Sequence, residues 1–309
     1  MSKVYKLKII NRLKSCLILM ILLINLGIFF QITSFKVCDS QDSRAISEKN
    51  FNYDENLPYI KSSNSLELKN DLNITWGWSI GDERSFDVKT DSQNNVYVTG
   101  DSDSYSSGSA DLVLIKYDSS GNQLWNRSWG FTHFDSGRSI AFDSLNNILV
   151  GGLTYNSTKS AYDVVILKFD PDGNLISELI WGDNLSDYCE DIILDSNDNL
   201  YFVGSTYNFG AVLRDVLLVK FNSSWEFQWK ITFGSDGYDS GQAITIDSSD
   251  CVYICGRTIP DIYRKFVIKY NSTGDQQWIF ISGGVGSIGN FYDLVLDDNN
   301  FTYVCGYSE

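Results

Sequence analysis

The strongest constraint on this chain is a ten-residue phrase that it repeats five times. DSQNNVYVTG ends at Gly100, DSLNNILVGG at Gly152, DSNDNLYFVG at Gly204, DSSDCVYICG at Gly256 and DDNNFTYVCG at Gly306. The closing glycines lie 52, 52, 52 and 50 residues apart. A fixed period of this size means that one supersecondary unit is copied along the chain, because a single copy cannot bury its own apolar face.

Each full unit carries four strand-like runs with turn residues between them. In the first unit they are Ser85–Thr90, Asn95–Gly100, Asp111–Tyr117 and Asn122–Trp129. The third runs (DLVLIKY, DVVILKF, DVLLVKF) are apolar on both faces, as a sheet sandwiched between neighbours requires. Asn-rich turns and the DSSGN and DPDGN turns supply the hairpin chemistry. Four antiparallel strands in every repeat of this length predict an all-β fold, a β-propeller of four-stranded antiparallel blades.

The fifth unit stops two strands short, after FYDLVL and FTYVCG. A match to the end of a fourth strand lies upstream: Asn73-Ile74-Thr75-Trp76-Gly77 parallels Asn126-Arg127-Ser128-Trp129-Gly130. An N-terminal strand that completes the last blade would cover its open edge. Tyr59 to Ser62 is a weaker match to the missing third strand. Residues 71–309 are therefore expected to form about five blades closed by an N-terminal strand. A truncated piece of a longer propeller-repeat surface protein is the alternative left open.

Ahead of the repeats, a basic start (MSKVYKLKIINRLKS) runs into the uncharged stretch from Cys16 to Ile32. This is the n-region and h-region pattern of an export signal. Its apolar run is long for a signal and short for a membrane span, so residues 1–38 read as a signal peptide or a signal anchor, with cleavage open. Residues 39–70, rich in Ser, Asn, Glu and Lys, read as a polar, disordered stalk. Either outcome puts the remainder outside the cytoplasm, secreted or at the cell surface, with the membrane touched only through the N-terminal segment.

The formal charge is −15, with 24 Lys and Arg against 39 Asp and Glu. Six of the cationic residues fall in residues 1–38, where no acid occurs, so the rest of the chain carries a net of −21. That surface repels phosphate backbones, and no nucleic acid partner is expected. One histidine, His133, nearly excludes His-based metal centres. The six cysteines do not read as a disulfide framework, since Cys255 and Cys305 hold the same slot of successive repeats. Buried free thiols are expected, with a Cys189–Cys251 pairing left open.

The phrases SGRSIAFDSLNNILVGG and AYDVVILKFDPDGN resemble the extracellular β-propeller repeat family. Its units run D-x-x-x-x-I-x-x-D-x-x-G-N-x-Y-V-x-G and then D-x-x-x-x-K-x-x-x-x-G. The resemblance spans residues 76 to 309. It departs where the turn glycine becomes Asn94, Asn146, Asp198, Asp250 and Asn300, and where Arg264 replaces the acid of Asp111, Asp163 and Asp215. It implies a secreted or surface propeller and no particular activity. A second likeness, to the tryptophan docking phrase of quinoprotein propellers, marks Trp125, Trp229 and Trp278 as plugs between blades, with Ser177 breaking the series. Without a vicinal cysteine pair, and with too few blades, no cofactor is expected.

Several recurring residues invite a functional reading. Asp91, Asp143, Asp195, Asp247 and Asp297 open the D-S-x-N/D-N turns, and turn formation explains them without a metal. Lys116, Lys168, Lys220 and Lys269 end the third strands and suit inter-blade pairing or snorkelling. More informative are Glu83, Asp135, Asp187 and Asp239, eight residues before each turn Asp, with Gly289 in the fifth unit. That slot begins the innermost strand beside a central channel. Its carboxylates would either form an electronegative mouth or cap the amides of the crossing loop. His133, Phe134, Tyr188 and Tyr238 lie on the same loops. The candidate ligand rim is thus Glu83, His133, Asp135, Asp187, Tyr188, Tyr238 and Asp239.

No G-x-S-x-G, H-E-x-x-H or phosphate-cradling glycine loop occurs. The expectation is an exported, non-catalytic binding or structural module whose partner is a surface glycan, peptide or protein. An extracellular glycan lyase or hydrolase using the carboxylate rim is the rival reading.

Overall fold

The computed structural model describes residues 34–38, 46–50, 83–105, 109–209, 213–259, 264–283 and 289–308. In chain order the strands are β1 (Ser34–Cys38), β2 (Ile46–Asn50), β3 (Glu83–Thr90), β4 (Val96–Ser102), β5 (Asp111–Tyr117) and β6 (Gln123–Trp129). They continue as β7 (Asp135–Phe142), β8 (Ile148–Asn156), β9 (Ala161–Phe169), β10 (Leu175–Trp181), β11 (Asp187–Leu194), β12 (Leu200–Thr206) and β13 (Asp215–Phe221). The last are β14 (Phe227–Phe233), β15 (Ser240–Ile246), β16 (Val252–Thr258), β17 (Arg264–Tyr270), β18 (Gln276–Ser282), β19 (Gly289–Leu296) and β20 (Thr302–Ser308). They form five four-stranded antiparallel sheets, and the first strands of successive sheets contact one another around a common axis. This is the propeller that the repeat predicts.

Each of the first four sheets buries its third strand because alternate residues serve different inter-sheet layers. Val164 and Ile166 of β9 pack toward the third sheet with Ile192 and Phe202, while Val165 and Leu167 pack toward the first with Leu112 and Ile140. Strand β13 does the same, with Leu217 and Val219 on one side and Val216 and Leu218 on the other. Each such fully buried aliphatic side chain contributes about 1.5–3 kcal/mol. Trp125, Trp229 and Trp278 meet Tyr97, Tyr201 and Tyr253 of their own sheets edge-on at 6.0, 5.9 and 5.8 Å, and each packs against a core cluster shared with the next sheet, as the plug reading expects.

The repeated turn is held by its aspartate. In the second unit, Asp143 accepts from the amides of Leu145 and Asn147 and from Asn147 Nδ2, and pairs with Lys168 at 2.8 Å. The slot that is glycine in the family consensus takes φ near +60° in all five turns, at Asn94, Asn146, Asp198, Asp250 and Asn300. Asn and Asp tolerate that left-handed conformation better than other side chains do. The strand-ending lysines also reach the next blade: Lys116 Nζ donates to the carbonyl of Pro171 and Lys220 Nζ to that of Ser272, each at 3.0 Å.

The closing glycine of the phrase has a different cause. Every first strand bulges opposite it, with register slips at Ser85/Asp87, Gly137/Ser139, Cys189/Asp191, Gly241/Ala243 and Phe291/Asp293. A Cβ on Gly152 would fall on the carbonyl oxygen of Ser136, and one on Gly204 on that of Tyr188. Only glycine allows this approach.

The fifth sheet departs from expectation. Strand β1 pairs antiparallel with β20 and β2 lies outside β1, giving the order β19-β20-β1-β2. The chain before the repeats supplies both missing strands, taken from Ser34–Cys38 and Ile46–Asn50. An edge strand joins through its backbone, so a polar sequence does not bar it from that place. The expected closing segment, residues 72–77, and the weaker match at 59–62 lie outside the described residues, as does the apolar stretch 16–32. Among the described residues no helix is long and apolar enough to cross a membrane. Cys189, Cys251, Cys255 and Cys305 are free thiols, so the Cys189–Cys251 pairing is absent. Burial pushes the thiols of Cys189 and Cys255 well above the ordinary range.

Candidate binding face at the channel mouth

Three of the four carboxylates that begin the innermost strands are fully buried. Asp135, Asp187 and Asp239 are each 0% exposed. Asp135 accepts the amide of Phe131 at 2.7 Å, and Asp187 accepts the amide of Asp183 at 3.0 Å and Asn208 Nδ2 at 2.8 Å. Asp239 accepts the amide of Ser235 on its crossing loop, and that of Ile259 beyond β16 at 2.6 Å. Glu83 is bonded to the hydroxyls of Ser102 and Ser104. Of the two alternatives read from the sequence, an electronegative mouth or caps of the crossing loop, Asp135, Asp187 and Asp239 take the second: each accepts an amide of the loop that leads into its strand.

At three crossings this capping acid is paired with another. Gly130 lies between the carboxylates of Asp111 and Asp135, Gly182 between Asp163 and Asp187, and Gly234 between Asp215 and Asp239. Burial, and then the neighbouring Asp135 charge, raise the pKa of Asp111. Burial also raises Asp135 and Asp187, against the opposing pull of the hydroxyls of Thr154 and Thr206 across the ladder. Lys159 relieves the second pair, lying 3.0 Å from both oxygens of Asp163. At the fourth crossing both acids are gone, with Arg264 in one slot and Gly289 in the other. The two departures noted in the sequence are therefore one structural event. Among the described residues no group of three or more His, Cys, Asp and Glu could hold a metal ion.

Two of the aromatic candidates belong to one surface. His133 meets Tyr155 at 5.0 Å, Tyr155 meets Tyr162 at 5.2 Å, and Tyr162 meets Tyr188 at 5.7 Å. Phe134 joins Tyr162 at 6.3 Å and Tyr207 joins Tyr188 at 6.4 Å. His133 is exposed and the other five rings are half-buried, so the strip presents ring faces and edges to solvent across the second and third blades. Tyr238 stands apart from it. It is 47% exposed and pairs by backbone with Arg214, on the loop between β12 and β13.

The strip continues into the channel mouth through arginine. Buried Asp101 accepts from Arg84 Nε at 2.9 Å and from the Ser136 hydroxyl at 2.7 Å. So held, the Arg84 guanidinium lies 5.3 Å from the Phe134 ring and 5.9 Å from Phe86, where cation–π attraction operates. Arg138 covers Phe86 from 3.9 Å. Phe86 and Arg138 are the extra residues of the first two bulges, and Glu190, Gln242 and Tyr292 are those of the other three. All five are solvent-accessible to some degree; β7, β11, β15 and β19 are otherwise largely buried toward this end, and β3 is not.

Below this ring, a belt of hydrogen bonds ties the innermost strands together. Asp87 accepts the amide of Ile140 at 2.8 Å. Asp191 accepts the Ser139 hydroxyl at 2.6 Å and the amide of Ile244 at 2.9 Å. Asp191 is half-buried, and desolvation lifts its pKa to about 6 against the opposing pull of Lys89. Sequence inspection passed over both the ring and the belt. The bulge residue differs in all five units, but so does the slot of Lys89, Ala141, Ile193, Thr245 and Val295, so variation alone does not mark it.

No family model matches the chain. It is similar to an uncharacterised WD repeat-containing protein of Acanthamoeba polyphaga mimivirus, 22% identical over 272 residues, which covers 71% of this chain but only 17% of that protein. Among solved structures, the Neurospora crassa Pan2 WD40 domain is similar at 10% identity and a TM-score of 0.40, over 72% of this chain and 89% of that one. A GH43_12 protein retrieved from capybara gut metagenome is similar at 10% identity and a TM-score of 0.38, over 89% of this chain and 56% of that one. The chain is a repeat protein of the β-propeller kind.

Proposed function

We propose that this propeller is an exported or surface-attached binding module of the extracellular repeat type, and that its ligand is carbohydrate. The aromatic strip from His133 through Tyr155, Tyr162 and Tyr188 to Tyr207 carries this reading. Half-buried tyrosines combine an apolar ring with a hydroxyl, which suits a pyranose with its apolar C–H face and polar rim. The basic start and uncharged 16–32 stretch support export. The carboxylates on which an enzyme reading rested cap backbone, which favours binding over catalysis.

The test is a titration of neutral oligosaccharides against the full chain and against Tyr162→Ala and Tyr188→Ala. The expected result is binding that each substitution weakens about tenfold, equivalent to about 1.4 kcal/mol, with the melting temperature held within a few degrees. Binding that ignores both substitutions would remove the strip from the site.

A further inference from the structure

The uncharged stretch near the start of the chain ends at Ile32, and β1 begins at Ser34, with Thr33 alone between them. One residue reaches about 3.5 Å. The polar segment read as a stalk follows β1, so it cannot act as a spacer ahead of the propeller. The register shows which end of the fifth sheet the chain enters. Cys38 lies opposite Thr302 and Lys36 opposite Val304, so β1 starts level with the later part of β20. That part leads to Ser308, which pairs with Gly289 at the channel mouth. The uncharged stretch therefore joins the propeller at its channel-mouth end.

The same placement bears on cleavage. An export signal is cut after small residues that follow its apolar run. Here those positions, Ser34–Cys38, form the third strand of the fifth sheet. A cut within them would remove the partner of β20 and leave its backbone groups unpaired. The 17 residues from Cys16 to Ile32 meet the lower limit of a bilayer span. Lys3, Lys6, Lys8, Arg12 and Lys14 precede them with no acid among them, which holds the start of the chain inside.

A single tether fixes a corner of the propeller and not its facing, and charge supplies the rest. Among the described residues, six acids reach the surface at the channel-mouth end: Glu83, Asp103, Asp111, Asp183, Glu190 and Asp236. Six cations reach it there too: Arg84, Arg138, Lys159, Arg214, Arg257 and Arg264. At the other end, ten acids of the a–b and c–d turns reach the surface against four lysines near the strand ends. An anionic headgroup layer repels the turn end and is neutral toward the other. The tyrosine strip lies on that neutral end, and tyrosine rings settle at the headgroup level of bilayers. We propose that residues 16–32 are retained as a membrane anchor and that the channel-mouth face is turned toward the bilayer that holds them. This rests on the export part of the reading above and not on its carbohydrate part. A sugar that meets the strip is then one borne on the same membrane.

The full chain, produced in a bacterial host, provides the test in two steps. The intact mass of the membrane fraction should be that of the whole chain, and alkaline carbonate should not release it. A shortened form free of the membrane overturns the anchor. The second step uses Thr132→Cys, on an exposed crossing loop, and Leu145→Cys, on an a–b turn, each carrying a thiol-reactive dye and compared with the labelled parent chain. Both are reconstituted in phosphatidylcholine–phosphatidylglycerol vesicles that contain a headgroup nitroxide lipid. Strands of seven residues separate the two ends by roughly 23 Å, so the contact quencher should dim the Thr132→Cys dye about twofold and leave the Leu145→Cys dye unchanged. Equal quenching, or stronger quenching at Leu145→Cys, overturns the facing. If an impermeant thiol reagent fails to reach Leu145→Cys in intact spheroplasts, the export reading itself falls, and sugar binding by the strip still stands on its own titration.

Discussion

Two sets of aspartates recur around this propeller, and their environments are opposite. Those opening the a–b turns, such as Asp143, Asp195 and Asp247, are held below the ordinary carboxylate range. Burial opposes this, but turn amides, Asn side chains and a strand-ending lysine together outweigh it. Those near the channel, Asp135, Asp187 and Asp191, are pushed up, because burial outweighs the donors they receive. The same side chain, repeated with the same period, serves as a charged staple at one level and a desolvated plug at another. What separates the two is the balance between donors received and water lost.

The largest effect should come from emptying a channel-side cap. Asp187→Ala leaves the Asp183 amide and Asn208 Nδ2 without their acceptor, at a cost of about 3 kcal/mol in denaturant unfolding. Asp187→Asn keeps one acceptor oxygen and should cost less than half as much. A turn staple should respond to charge alone. Asp195→Asn replaces a carboxylate that accepts the amides of Asn197 and Asn199 and faces Lys220 at 3.7 Å. The expected loss is about 1–2 kcal/mol at pH 7, vanishing as the pH falls through the depressed pKa of the wild-type carboxylate. If Asp195→Asn proved as costly as Asp187→Ala, the distinction between the sets would collapse.

The smallest effect, and the sharpest, is in the pH profile. Asp191 has a folded pKa of about 6 against an ordinary value of 3.8, so the folded state holds its proton more tightly. Its contribution to stability is complete below the ordinary value and is lost as the pH rises through about 6. The turn set behaves oppositely: its contribution is present above the ordinary value and is lost as the pH falls through the lowered pKa. The melting temperature should therefore rise by a few degrees from pH 7 to pH 5 and fall again below pH 4. Asp191→Asn should flatten the first limb and spare the second. A profile that falls steadily from pH 7 downward would show that channel water, not burial, governs Asp191.

The sequence showed the turn set plainly. Asp143 and its equivalents act on residues two to four positions away, so period and composition identify both role and partner. The capping role of Asp135 and Asp187 was legible only as one of two alternatives, since the fourth-position amides they cap are local but their burial is not. Tyr188 and His133 were marked as rim residues for their place on crossing loops. Their union through Tyr155 and Tyr162 was not legible, because those two tyrosines lie on strand ends of the second blade. Tyr238 shares the loop position of Tyr188 and still falls outside the strip.

By itself the sequence determined the all-β class, the four-stranded unit, the turn chemistry and the number of repeats. Each of these follows from side-chain alternation and from hydrogen bonds that close within a few residues. Only the tertiary structure decided which strands fill the fifth sheet, since β1 and β2 join it through backbone that no side-chain pattern marks. It also decided where the bulge residues lie: a bulge exists only in relation to a partner strand, so Arg138 and Glu190 come to share a slot only when β7 and β11 pair with β8 and β12.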